Sequence, residues 1–492
     1  MRKFILGIDE GTTSARTVLY DIDNHEIVDM HALPVKQIYP HEGWVEQDAN
    51  EIVKQVLKTS KTLISRNEVV KNELLGIGIT NQRESIVAWD RETGEPIYNA
   101  IIWQDRRTSA KISSLPQQTK DLIKEKTGLL ANPYFSASKM HWILENVSAA
   151  KTLAKHHKLC FGTIDSFLAF KLTGNFVTDT TNASRTMLMN LKTLAWDEDL
   201  LKIFKIPADS LPEIKASDAN FGVAKKLLGA PVCAMIGDQM SSMYGQGATF
   251  YGSTKVTFGT GAFILCNIGK NLAKSPNSLV TTVAGTIDGT TTYAIEGSIY
   301  SACSAINFAK NNLALYQDVS ETANMANSLP DNEGVYFVPA FTGLGAPYWD
   351  DNARGMICGI NFDTKQAHIV RAVLESMVYN TKAIFDEFKA CGQKIKMISV
   401  DGGASKNEFV LQFLADMLGH NVVRSKNSES TVLGAIYIAM LSLKIVSQKD
   451  IETLTKSTKV YKSTIKDSLR KQYYAGWNEA VKKCLGGATT KI

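Results

Sequence analysis

The residues best suited to chemistry stand where apolar runs end. "GIDEGTTSAR" (7–16) stops an apolar segment at Asp9 and continues through glycine, Thr12, Thr13 and Ser14. Glycine admits backbone conformations with φ above zero, and successive N–H groups beside hydroxyls form a nest for phosphate oxygens. A carboxylate so close to phosphate is repelled unless a divalent cation stands between them, so Asp9 in this reading implies Mg2+. "FGTG" (258–261), containing Thr260, and "SVDGGASKNEF" (399–409) are two further glycine-hydroxyl turns after apolar runs. Three such turns could close on one nucleotide from two sides. No G-x-x-x-x-G-K-[ST] occurs, so a P-loop is not the phosphate holder. The plain alternative is that these stretches are only polar turns.

Two other groups belong to the acceptor side of a phosphoryl transfer. "APVCAMIGDQM" ends an apolar run at Asp238, where a carboxylate could take the proton of an attacking hydroxyl; the same position favours a helix N-cap. "TNQRES" (80–85) sets Arg83 beside Glu84, a donor fork and an acceptor pair able to grip neighbouring hydroxyls of a small polyol, or simply a surface ion pair. Trp103 in "IIWQDRR" and Tyr134 in "NPYFSASK" could form flat apolar walls for C–H edges, although lone aromatics usually belong to a core.

The elements that must hold these residues are legible as hydrophobic patterns. "KFILGID", "ARTVLYDID" and "HEIVDMHAL" are β-branched runs separated by turn residues and predict an antiparallel meander. "EIVKQVLKTSKTLI" has helical periodicity, "LLGIGITNQ" reads as a buried strand, and "SIVAWDRETGEPIYNAIIW" as strand, turn, strand. "GSTKVTFGTGAFILCNIG" (252–269) repeats the opening meander with little identity, suggesting two copies of one α/β architecture divided near residue 247. Helices are expected at about 365–390, 406–419 and 430–444.

Bulk properties narrow the class. At 492 residues two or three domains are expected. The +5 formal charge is dispersed, and its densest cluster, "KHHK" (155–158), lacks interleaved aromatics, so nucleic acid is not implied. The longest apolar run, "TVLGAIYIAMLSL" (431–443), is shorter than the roughly 20 residues a bilayer requires and reads as a core helix. Seven scattered cysteines without a C-x-x-C pair are most simply free thiols in a reducing cytoplasm.

Taken in order, "GIDEGTTSAR", "TNQRES", "IIWQDRR", "GTIDSF", "TNASRTML", "GDQ", "FGTG", "PAFTGLGAPYWD", "ARGMICGINF" and "VDGGASKNEF" resemble the FGGY carbohydrate kinases, within them those acting on glycerol. The resemblance runs from residue 4 to about 444. It implies two actin-like (ribonuclease-H-like) domains, 1–247 and 248–492, around a deep cleft. By similarity, Thr12, Thr13, Ser14 and Arg16 face the phosphates of ATP, and Thr260 with Gly261 forms a second phosphate turn. Gly403 and Asn407 fall at the adenosine end, Asp9 and Asp238 in the Mg2+ environment. Asp238 would be the general base. Glycerol would be held by Arg83, Glu84, Tyr134, Asp238 and Gln239, with Trp103 and Phe263 as walls. The resemblance also implies a homodimer or homotetramer.

The chain departs from the pattern in "EGSIYSACSAINFAK", where Cys303 and Asn307 replace a usual glycine and glutamine on the nucleotide side, and in "GDQM" for "GDQQ". Between residues 213 and 235 there is no histidine of the kind phosphorylated in some bacterial members. Two other readings stay open on sequence alone: a kinase of another small polyol or ketose such as erythritol or xylulose, and an actin-like binding protein without turnover.

Overall fold

A computed structural model describes residues 2–273, 278–457 and 459–485. The opening meander forms strands β1 (Phe4–Glu10), β2 (Ser14–Asp21) and β3 (Glu26–Pro34), each antiparallel to the next. Strands β4 (Leu74–Asn81) and β5 (Ala230–Gly237) extend the sheet in parallel from β1, giving the order β3-β2-β1-β4-β5, with Gly222–Ala224 added at the β5 edge. Burial follows position: β1 is covered on both faces, whereas outer β3 alternates between exposed and half-buried residues.

The second sheet repeats this plan. Strands β6 (Ser253–Phe258), β7 (Ala262–Gly269) and β8 (Thr290–Ile299) are antiparallel neighbours, although Val280–Ile287 comes between β7 and β8 in the chain, and β9 (Met397–Gly402) and β10 (Val422–Arg424) continue in parallel from β6. The order β8-β7-β6-β9-β10 matches that of the first sheet in direction; Val460–Tyr461 adds an antiparallel edge beside β10, as Gly222–Ala224 does beside β5, while Val280–Ile287 beyond β8 has no counterpart in the first sheet. In the first sheet β1, β4 and β5 end at the Asp9 turn, the Arg83–Glu84 corner and Asp238, and in the second β6 and β9 end in the other two glycine-hydroxyl turns.

The strand-turn-strand expected after Ser85 forms only in part. Ile86–Asp90 pairs along its whole length with Leu159–Thr163 and meets Ala100–Ile101 at one residue pair, Ile86 with Ile101. The returning segment also meets the first strand at Pro96, which bridges to Trp89 between the hydrogen bonds from Asp90 N–H to the Glu95 carbonyl at 3.0 Å and from Ile97 N–H to the Ala88 carbonyl at 2.9 Å, and no strand forms over 97–99.

Helices cover the sheets: α1 (Ala49–Arg66), α2 (Ser136–Asn146), α3 (Asp238–Gly245), α4 (Cys303–Asn311), α5 (Gln366–Ala390), α6 (Glu408–Leu418) and α7 (Ser430–Ser442). Helix α1 begins at Asp48, whose side chain accepts from the N–H groups of Asn50 and Glu51, and buries Ile52, Val53, Val56 and Leu63. Helix α7 is apolar on every side and is correspondingly buried, packing its Val432, Ile436 and Ala435 with Ile5 of β1 and Ala234 of β5. It crosses α3 at two glycines: a Cβ on Gly434 would lie 1.8 Å from the Ser241 carbonyl, and one on Gly245 1.8 Å from that of Ser430. That crossing seats α7, from the C-terminal half, against the first sheet and fixes α3, which carries Asp238. Among the described residues no helix is long and apolar enough to cross a membrane, and all seven cysteines are free.

Candidate active site

Because β1, β4 and β5 are parallel neighbours, their C-terminal ends lie side by side, with Asp9 opposite Thr80 and Gly237 opposite Asn81. Such ends are where open α/β sheets collect ligands. Asp9, the Gln82–Glu84 corner and Asp238 therefore share one edge. Glu84 adopts φ 62, a left-handed conformation unusual for a non-glycine residue, and is held there by Ser136 of α2, whose hydroxyl donates to the Glu84 carbonyl at 3.0 Å.

Arg83 and Glu84 are buried, not a surface pair, with side chains 2% and 1% exposed. Their own contact is long, 4.0 Å; each is instead tied to more distant residues. Arg83 pairs through Nε with Asp238 at 3.0 Å, and its two terminal nitrogens donate to Glu296 of β8 at 2.7 and 3.0 Å. Arg185 donates to Glu84 at 2.5 Å and to Glu296 at 3.1 Å. Two guanidiniums thus serve three carboxylates. Burial pushes Glu296 towards its neutral form, but Arg185 and Arg83 outweigh it and hold the carboxyl at about 2. Glu84 ends on the other side of the balance: burial raises it beyond what the two arginines recover.

Asp238 opens α3, yet it does not cap it. Gly237 occupies the N-cap, and Asp238 Oδ1 accepts from the adjacent Gln239 N–H at 2.6 Å. Its Oδ2 makes no hydrogen bond among the described residues. Gln239 Oε1 accepts from Lys255 Nζ at 2.5 Å. Around this polar edge stand the aromatics named from the sequence. Trp103 and Tyr134 meet edge to face at 5.6 Å between centroids, and Phe263 of β7 lies under the Arg83 guanidinium at 5.9 Å. Burial keeps the Tyr134 phenol neutral, a donor, with its pKa well above the ordinary value.

The phosphate-type turns sit beside this group. Thr12 Oγ1 accepts from the Trp103 indole N–H at 2.9 Å, so the first turn and the aromatic wall are joined. Thr13 is exposed, Ser14 half-buried, and Arg16 forms an ion pair with Glu429 at the start of α7. Burial raises Asp9 to about 7, with Arg16 opposing and the charges of Asp238 and Glu429 adding to the rise. In the second sheet Phe258 of β6 is opposite Gly402 of β9, which brings the other two turns together. Gly259 and Thr260 lend their carbonyls to the backbone N–H groups of Cys303, Ala302 and Ser304, docking that turn on the start of α4. Gly261 has no room for a side chain, since a Cβ would lie 2.3 Å from the Ile299 carbonyl. A Cβ on Gly403 would lie 3.8 Å from Cys303 Sγ, so Cys303 borders the third turn, and exposed Asn307 follows it one helical turn later. Asn407 caps α6 by accepting from Val410 N–H at 3.2 Å and donates to Thr322 at 3.0 Å.

Arg185, Glu296, Lys255 and Glu429 received no role from the sequence. Arg185 and Glu296 stand inside the recognised stretches "TNASRTML" and "EGSIYSACSAINFAK", which was the available signal. Among the described residues no three or more His, Cys, Asp or Glu side chains are grouped to hold a metal.

This arrangement of two like sheets has counterparts. Residues 4–245 match the N-terminal domain of the FGGY family of carbohydrate kinases, and residues 254–443 match its C-terminal domain. The chain belongs to the FGGY family of carbohydrate kinases. Similar members include the glycerol kinase of Thermococcus gammatolerans, 45% identical over 99% of both chains, and that of Staphylococcus epidermidis, 43% identical over 98% of both. Among solved structures, glycerol kinase of Plasmodium falciparum with ADP superposes with a TM-score of 0.94 at 36% identity, covering 99% of each chain. The two-domain α/β fold is thus that of glycerol kinase and the FGGY sugar kinases.

Proposed function

We propose that this FGGY kinase transfers the γ-phosphoryl group of ATP to a primary hydroxyl of glycerol, giving sn-glycerol 3-phosphate and ADP. The observation carrying the mechanism is the state of Asp238: Oδ1 is oriented by Gln239 N–H and Arg83, while Oδ2 has no partner among the described residues. A carboxylate held by one oxygen and open at the other can accept the hydroxyl proton as the alcohol oxygen forms its bond to phosphorus and the bond to the ADP oxygen breaks. The relatives that share nearly the whole chain at 43–45% identity carry the glycerol kinase name, and this supports the choice of acceptor.

In this reading glycerol is gripped by Arg83, Glu84, Tyr134, Asp238 and Gln239 between the walls Trp103 and Phe263. Glu84 offers acceptors, the neutral Tyr134 phenol a donor, and Arg83 the N–H left free by Glu296 and Asp238. The polyphosphate rests on Thr12, Thr13, Ser14 and Arg16 from one lobe and on Thr260 and Gly261 from the other. Gly403 and Asn407 bound the adenosine end, with Cys303 and Asn307 beside it. Asp9 and Asp238 suit Mg2+: Asp9 is a half-buried carboxylate whose charge is disfavoured by desolvation and then by Asp238 and Glu429, and Mg2+ commonly takes one or two carboxylates with phosphate and water. When bound, Mg2+ neutralises charge on the phosphoryl oxygens. Closing two lobes on this set also excludes water as a competing acceptor.

We divide the chain into domains 1–247 and 248–492, assign it to the cytoplasm, where its free thiols would stay reduced, and expect a homodimer or homotetramer, measurable by light scattering. The deciding experiment is a substrate panel: ADP release from Mg-ATP with glycerol, erythritol and xylulose. Glycerol should give the highest kcat/KM. An equal or higher value on a pentulose would overturn the substrate, and no ADP release with any polyol would overturn the kinase reading.

A further inference from the structure

Behind the acceptor edge a chain of buried polar groups runs from one lobe into the other. Lys255, on β6, is fully buried. Its ammonium donates to Gln239 Oε1 at 2.5 Å and to Thr257 Oγ1 at 2.7 Å. Thr257 donates in turn to Asp401 Oδ1 at 2.5 Å, across the parallel pairing of β6 with β9. Asp401 also accepts from Ser430, the first residue of α7. Burial lowers Lys255 to about 8, with Asp401 and Asp238 opposing, so the amine still carries its proton at neutral pH. Asp401 immediately precedes Gly402, whose φ of +86 begins the third turn. The ammonium is therefore clamped between a fixed hydroxyl and the Gln239 amide.

An amide side chain can present either its oxygen or its NH2 group to a ligand, and its neighbours decide which. Lys255 has only donors, so it accepts one orientation alone: Gln239 oxygen inward to β6, NH2 outward beside Asp238. Gln239 Nε2 has no hydrogen-bond partner among the described residues, and the residue is half-buried at the acceptor edge. A polyol oxygen that keeps its proton, unlike the one facing Asp238, would then be met by a donor and not by a second acceptor.

We propose that Lys255 is a positioning residue that fixes the Gln239 amide with its NH2 towards the polyol, so that the site discriminates for a hydroxyl oxygen at that point. This rests on the polyol-kinase reading above and adds to it the group that orients the amide. Lys255 acts through Gln239; it does not touch the reacting atoms.

The test is a double-mutant cycle on the full-length protein, reading KM for glycerol, KM for ATP, kcat and melting temperature. Gln239→Ala and Lys255→Met should each raise the glycerol KM roughly tenfold, the scale of one lost hydrogen bond, with the ATP KM changed by less than about twofold. In the Gln239→Ala background, Lys255→Met should add less than about twofold. Full additivity of the two losses, or a Lys255→Met effect confined to kcat or to ATP, would overturn the proposal. If Lys255→Met does not fold, Gln239→Glu carries the test: it keeps an oxygen for Lys255 but removes the outward donor, so its glycerol KM should rise at least as much as in Gln239→Ala. A Gln239→Glu enzyme with unchanged glycerol KM would refute the orientation. An inactive wild type would instead sink the polyol-kinase reading, a separate outcome.

Discussion

Replacing Glu296 by glutamine removes one negative charge from the buried cluster while keeping its shape. Glu296 accepts from Arg83 at 2.7 and 3.0 Å and from Arg185 at 3.1 and 3.4 Å, with its side chain 1% exposed. Those guanidiniums hold its carboxyl at about 2 against an ordinary value of 4.5. At about 1.4 kcal/mol per pH unit, that displacement corresponds to roughly 3 kcal/mol of stability at neutral pH. The figure agrees with the approximately 3–5 kcal/mol seen when one partner of a buried ion pair is removed, the lower end suiting an amide that still accepts a hydrogen bond. The sign is fixed by the direction of the shift. A depressed carboxylate stabilises the fold fully above its unfolded value and loses that contribution as pH falls from 4.5 towards 2. Glu296→Gln should therefore melt below wild type by roughly 6 to 12 °C at pH 7, taking a lobe of about 150–250 residues as the melting unit. The gap should narrow below pH 4.5. Turnover should fall as well, because both guanidiniums, relieved of one carboxylate, lean harder on Asp238 and Glu84. Calorimetry across pH 3 to 8 is the assay. A variant melting within about 1 °C of wild type at pH 7, or a gap that widens on acidification, would refute the idea that these two arginines stabilise Glu296 as an anion.

Asp238→Asn should lower kcat by about 10²–10⁴ while the ATP KM changes little, measured by coupled ADP release; substantial residual turnover would remove Asp238 as base. Gly434→Ala should yield a destabilised or insoluble protein, seen by solubility and melting temperature, since its Cβ would fall 1.8 Å from the Ser241 carbonyl where α7 crosses α3. Lys139, buried on α2 and donating to the carbonyls of Tyr134 and Phe135 at 2.6 and 3.3 Å, is lowered by burial to about 7. The unfolded chain keeps that proton up to about 10.5, so stability should rise with pH between 7 and 10.5; urea titrations should show a flatter pH dependence in Lys139→Met.

The glycine-hydroxyl turns could be found in the sequence because their requirement is local: an apolar run sets the strand, and glycine beside hydroxyls sets the bend. The helices over 366–390 and 408–418 were legible for the same reason, their apolar residues recurring at helical spacing, and that over 430–442 as one continuous apolar run. The N-cap and surface-pair alternatives for Asp238 and Arg83 could not be dismissed locally. Only the fold shows that Gly237 takes the cap and that Arg83 lies at 2% exposure.

The sequence by itself determined which residue types are available and that two meanders end in like turns, because backbone propensity and side-chain periodicity act over a few residues. Tertiary structure decided the charge arrangement. Arg185 meets Glu296 across 111 positions, Arg83 meets it across 213, and Lys255 finds Gln239 from a strand of the other sheet. Coulomb attraction and loss of hydration depend on distance and burial in space, so the division of two guanidiniums among three carboxylates has no trace in any short stretch of chain.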